Sequence, residues 1–193
     1  MARTLTPNRL AALVLVSGLL AGPAMAQTQD QTTATIQTVF RGDVAAACRM
    51  STPLAPTTDN AQVGALAPGS ADIAINRLVG EDGAPIGATI VLVLPATCNQ
   101  AHTLNLSSLN GGLKGDAPAG SGGAFRSQAP YTVTVAWAGE SQTFQTQDES
   151  LAFALGSAAT GPVTVTIQIP AGGAPLAAGT YSDELILELG VAG

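Results

Sequence analysis

"TVFRGDVAAAC", Thr38 to Cys48, is the stretch on which the reading of this chain turns. Its central letters, Arg41-Gly42-Asp43, are a cell-adhesion tripeptide if they stand on a loop tip. The residues around them argue otherwise. Ile36, Thr38, Phe40, Gly42 and Val44 fall at every second position, the side-chain period of a β-strand. On a strand, Gly42 shares a face with Phe40 and Val44, while Arg41 and Asp43 turn to the other. A short motif carries weight only in the right context, so a strand is the expected reading and the adhesion motif falls away.

Upstream, Arg3 and Arg9 flank the start of "LAALVLVSGLLA", Leu10 to Ala21, an apolar run short for a bilayer span. Pro23 breaks any helix, and Ala24-Met25-Ala26 is a small-x-small cleavage site. Residues 1–26 are therefore expected to be a bacterial-type secretory signal peptide. Residues 27–47 form an N-terminal extension, and residues 48–193 a single domain. No later apolar run reaches membrane-spanning length, so no direct membrane span is expected.

Seven Lys and Arg face thirteen Asp and Glu, a net charge of −6, and two of the cations belong to the leader. With one lysine, Lys114, the mature chain has little with which to neutralise phosphate or attract anionic lipid. Nucleic acid is not an expected partner. Charged residues make up only 10% of the chain, so Thr, Ser, Gln, Gly and Ala must cover much of the surface, as in extracellular assemblies. Cys48 and Cys98 are the only cysteines, and in an oxidising compartment they are expected to pair. Closing a loop of roughly 50 residues would stabilise the fold by about 4 kcal/mol. The competing reading, free thiols or a metal site, finds one histidine in the whole chain to help it.

Period-two alternation recurs downstream and helical periodicity does not. "ATIVLVLPATC" is nearly continuous and reads as a central strand covered on both sides. "HTLNLSSL" alternates Leu104 and Leu106; "YTVTVAWAG" sets Tyr131, Val133, Val135 and Trp137 together; "VTVTIQIP" does the same with Val163, Val165, Ile167 and Ile169. "TYSDELILELG" places Leu185, Leu187 and Leu189 on one side, with Asp183 and the other polar residues read as largely opposite. Turn clusters rich in Gly and Pro separate these runs: "VGEDGAP", "NGGLKGDAPAGSGG", "AGES" and "PAGGAPLAAG". Short strands, such turns and one disulfide indicate an all-β fold, an antiparallel β-sandwich. The segment before Cys48 then has two readings. It is the sandwich's own first strand, or it is an arm whose partner sheet belongs to another molecule.

Three stretches carry a resemblance. "TVFRGDVAAAC" resembles the start of chaperone–usher pilus subunits, and "ATCNQAHTLNLSSLNGGL" and "AAGTYSDELILEL" resemble the spore coat U and secreted-pilus branch of that group. They lie at the beginning, middle and end of the mature chain, in family order. The resemblance implies an immunoglobulin-like sandwich lacking its last strand, with an apolar groove and an open sheet edge. A periplasmic chaperone covers the groove, an outer-membrane usher exports the subunit, and the N-terminal arm of the next subunit finally fills it. Carried over, Ile36, Thr38, Phe40, Gly42 and Val44 would be the donor-strand residues, with Phe40 the largest anchor and Gly42 fixing register. Leu185, Leu187 and Leu189 would line the acceptor groove. The product would be a surface fibre, a pilus or fimbria serving attachment or biofilm. The chain departs from the pattern in ending "GVAG" without a nearby aromatic residue, and Thr38 is a weak pocket filler.

Catalysis finds little footing. His102 is the only histidine and no Gly-x-Ser-x-Gly elbow occurs; His102 reads as a polar strand or turn residue beside Cys98. Histidines at metal-ligand spacing are lacking, so neither metal nor cofactor is expected, and the carboxylate pairs Glu81-Asp82, Asp148-Glu149 and Asp183-Glu184 read as solvated turn charges. The Gly-rich "NGGLKGDAPAGSGG" lacks phosphate-loop spacing and reads as a flexible loop. Trp137 and Tyr131 read as core. The alternative to a fibre subunit is a monomeric secreted or periplasmic β-sandwich that binds a glycan or surface ligand; an enzyme comes third.

Overall fold

The computed structural model describes residues 36–67, 69–117, 123–148 and 150–191; the expected signal peptide and residues 27–35 lie outside them. The chain divides between Gly42 and Asp43 into two units. In the first, residues 36–42 carry no helix or strand. Ile36 and Phe40 are 90% and 89% exposed. The strand expected here is not formed in the isolated chain, because an extended segment becomes a strand only where another backbone meets its N–H and C=O groups.

The second unit is all β. Its strands are β1 (Cys48–Met50), β2 (Leu54–Asp59), β3 (Ala61–Ala67), β4 (Ser70–Ile75), β5 (Ala88–Cys98), β6 (His102–Ser108) and β7 (Leu113–Gly115). They continue with β8 (Gln128–Ala129), β9 (Thr132–Trp137), β10 (Glu140–Gln145), β11 (Leu151–Leu155), β12 (Ala159–Ile169), β13 (Tyr181–Ser182) and β14 (Leu185–Val191). One sheet runs β1-β5-β12-β9-β10, with β2 also on β5; a second runs β11-β6-β14. β13-β7-β8 and the hairpin β3-β4 stand apart as small sheets, and every strand pairing is antiparallel.

The alternation read from the sequence places the core. Ile90, Val133, Val135 and Val163 of the first sheet and Leu104, Leu106 and Phe153 of the second are buried in one cluster. Burying each such side chain contributes about 1.5–3 kcal/mol, which sets the register of both sheets, since a one-residue slip would turn every apolar face outward. The tight β9–β10 connection uses Ala138 and Gly139, both at positive φ (53° and 86°), the primed-turn geometry that matches strand twist. Gly supplies it freely; Ala138 is held there against its preference.

Some expectations need correction. β5 is interior, yet only one face is fully buried; the face bearing Val91 and Val93 is half-covered, because no further layer packs on that side as it would in a parallel α/β sheet. The Gly-rich loop begins as structure, with Leu113–Gly115 pairing both β8 and β13. Cys48 and Cys98 are joined, their Cα atoms 4.2 Å apart on directly opposed positions of β1 and β5. Among the described residues no helix is long and apolar enough to cross a membrane.

Candidate functional site

A groove of roughly 600 Å³ opens between the two sheets. Its floor is contributed by alternate residues, Ile90, Leu92 and Leu94 of β5 with Val165, Ile167 and Ile169 of β12. Alternate residues are what a sheet presents face-on. On one flank the lining is instead consecutive, Gly69 through Ile73, so β4 meets the groove along its edge. The other flank is β14, through Leu185 and Leu187.

Among the described residues both flanking strands are edge strands, β14 pairing only with β6 and β4 only with β3. Hydrogen bonds fix which backbone groups face the groove. The Leu109 N–H donates to the Glu184 carbonyl at 2.9 Å, in register with the β14–β6 pairing. By strand alternation Ile186, Glu188 and Gly190 bond to β6, and Leu185, Leu187 and Leu189 direct N–H and C=O to the free edge. The same reasoning serves β4. The Asn76 N–H donates to the Asn60 carbonyl at 3.0 Å, so Ile73 and Ile75 direct theirs away from β3. Asn60 also anchors the hairpin's base, its side-chain amide donating to the Arg77 and Gly87 carbonyls and accepting from the Arg77 N–H. Val63, Ala71, Ile73 and Ile75 pack half-buried against the core, so the hairpin leans over part of the floor.

One end of the groove is polar. The Tyr131 hydroxyl donates to Asp183 Oδ2 at 2.7 Å, the Ser108 hydroxyl donates to the same oxygen at 2.5 Å, and the Asn110 N–H donates to Oδ1 at 2.9 Å. Burial of the phenol, then its hydrogen bond to Asp183 and that carboxylate's charge, push the Tyr131 pKa far above its ordinary value. The Gly112 N–H closes the network on Ser108 Oγ at 3.0 Å. Gly112 is obligatory there: its φ is +124°, and a Cβ would lie 2.7 Å from Pro130 Cα.

The sequence-derived residues fare unequally. Leu185 and Leu187 line the groove; Leu189 shares their half-buried face but lies beyond its lining. Asp183 is not on the polar side as expected. Its number has the parity of Leu185, so it shares the inner face and is satisfied there by three donors. The donor residues Ile36, Phe40 and Val44 are exposed, as are Thr38 and Gly42. His102 opens β6, a strand residue as expected. It is fully buried, its ring 4.4 Å from that of buried Trp137. Nδ1 lies 2.9 Å from the Gln100 carbonyl, and Nε2 has no hydrogen-bond partner among the described residues. Sequence reasoning missed the β4 edge, although "ADIAI" alternates Ala71, Ile73 and Ile75. Trp137 and Tyr131 are core residues, as expected.

The chain matches no family model, no curated protein and no solved structure.

Proposed function

We propose that this protein is a structural subunit of a surface fibre, joined to its neighbours by donor-strand exchange. The single observation carrying this reading is the shape of the groove: an apolar floor in strand period, flanked by two strand edges whose free N–H and C=O groups face inward. A ligand complementary to that surface is itself a β-strand with alternate apolar side chains. The chain carries such a segment in Ile36, Thr38, Phe40, Gly42 and Val44, exposed and unpaired in the isolated molecule.

On this reading the domain is an immunoglobulin-like sandwich lacking its last strand, and β14 is the rail on which the neighbour's arm adds. Leu185 and Leu187 receive its side chains, with Leu189 at the far end. The arm of one copy entering the groove of the next is a head-to-tail contact that does not close, so it grows into a fibre. The exposed edge is an aggregation hazard until filled, which gives a periplasmic chaperone and an outer-membrane usher their place as partners. This follows the resemblance to chaperone–usher pilus subunits of the spore coat U and secreted-pilus branch. The route is export, transit through the periplasm and display at the cell surface, supporting attachment or biofilm, with no catalytic role.

Electrophoresis of material sheared from cells, with and without boiling, tests the reading. A ladder that collapses on heating supports it. A lone monomer band without heating overturns it in favour of a monomeric sandwich that binds a glycan or surface ligand.

A further inference from the structure

We propose that Asn99 is a positioning residue that keeps the arm from entering its own groove, so that strand exchange runs between molecules. The inference rests on the donor-strand reading above. β5 ends at Cys98, and β1 begins directly opposite at Cys48. One residue beyond, the ladder is continued by a side chain. Asn99 Nδ2 donates to the Ala45 carbonyl at 2.7 Å, and Asn99 Oδ1 accepts from the Ala47 N–H at 2.8 Å. The Asn99 N–H in turn donates to the Ala47 carbonyl at 3.1 Å. A primary amide offers a donor and an acceptor side by side, and here the pair grips the backbone on both sides of Ala46.

The need for such a grip follows from mass action. An arm tethered to its own domain has an effective concentration on the order of millimolar if its linker can span the distance, and near zero if it cannot. Capture by a neighbour at ordinary protein concentrations would lose that competition unless geometry forbids the intramolecular route. The groove opens beside Met50, Ser51 and Pro53, where β1 ends. To enter it, the segment ending at Val44 would have to reverse within Ala45-Ala46-Ala47. Those three residues contain no Gly, Pro, Asn or Asp to form a tight turn. They show no positive φ and no turn hydrogen bond, and a reversal would break both Asn99 side-chain contacts.

The test compares the full chain, Asn99→Ala, Asn99→Asp and a variant with two glycines inserted after Val44, each refolded at micromolar concentration. Each is read by unboiled electrophoresis and by amide hydrogen exchange of residues 36–44 in the monomer fraction. Asn99→Ala should raise the unboiled monomer fraction several-fold, with residues 36–44 protected in that monomer. Asn99→Asp keeps the acceptor for Ala47 and loses the donor to Ala45, and should fall between. The glycine insertion supplies a turn ahead of an intact clamp and should also raise the monomer fraction, which shows that the groove is within reach of its own arm. Asn99→Asp decides the part played by Asn99 if Asn99→Ala does not fold, and wild-type ladders from it would overturn that part. Wild-type ladders and an unprotected arm in the insertion variant would overturn the proposal. Deleting residues 27–45 separates the two claims: if ladders persist without the arm, donor-strand exchange itself has failed, whatever Asn99 does.

Discussion

Tyr131 donates its phenolic hydrogen to Asp183 Oδ2 at 2.7 Å, tying the entry to β9 to the entry to β14. The bond fixes where the last strand begins, and so which of its residues face the groove. Tyr131→Phe leaves Asp183 with Ser108 and Asn110 and removes one hydrogen bond to a charged group. A loss of about 1.5 kcal/mol is expected, measured as a lower denaturant midpoint at unchanged slope.

The same pair gives an alkaline limb. Tyr131 is raised above 10.0 in the folded protein by burial, and next by Asp183. The unfolded phenol loses its proton first, so above pH 10 the native state holds the extra proton and stability falls as pH rises; below pH 10 the contribution is complete. Stability followed from pH 8 to 11.5 should therefore decline more steeply in the wild type than in Tyr131→Phe, whose difference from wild type shrinks at the top of the range. A constant difference would refute this assignment.

How much of this was legible in the sequence follows from what each residue answers to. Leu104, Leu106, Val133, Val135, Val163 and Val165 are buried by a rule with period two, and a linear reading recovers it. Asp183 answers to a partner 52 residues away, and alternation alone would have placed it inward had parity been preferred to polarity. The β4 rail was passed over because its apolar residues are only half-buried, and its groove-facing role depends on an edge that only the topology reveals. The clamp by Asn99 is a side chain acting as backbone, which leaves no periodic trace. The segment from Ile36 to Val44 is the converse case: its alternation is plain, yet residues 36–42 carry no strand and Ile36, Phe40 and Val44 are exposed.

Phe40 and Leu187 should act on opposite ends of one contact. Phe40 is 89% exposed in the isolated chain, so Phe40→Asp should change the sandwich's own stability by less than about 0.5 kcal/mol while abolishing donation. Leu187→Asp should abolish acceptance and leave donation intact. Each variant alone should give monomer on unboiled electrophoresis. Mixed, they should give a dimer and nothing longer, since one supplies only an arm and the other only a groove. Longer species from the mixture would contradict the head-to-tail arrangement.

Replacing both Cys48 and Cys98 by alanine opens the cross-strand link between β1 and β5. A destabilisation of about 4 kcal/mol is expected from the regained freedom of the unfolded chain, seen in chemical denaturation. Equal stability with and without the bond would mean the β1–β5 ladder holds this corner unaided.

The most direct measurement is thermal melting of the chain lacking residues 27–45, titrated with a synthetic peptide of residues 33–45. Binding only to the folded groove should raise the melting temperature in proportion to the logarithm of free peptide once above its dissociation constant. The same peptide carrying Phe40→Asp should leave the melting temperature where it was. No shift with the wild-type peptide, or an equal shift with both, would contradict the account.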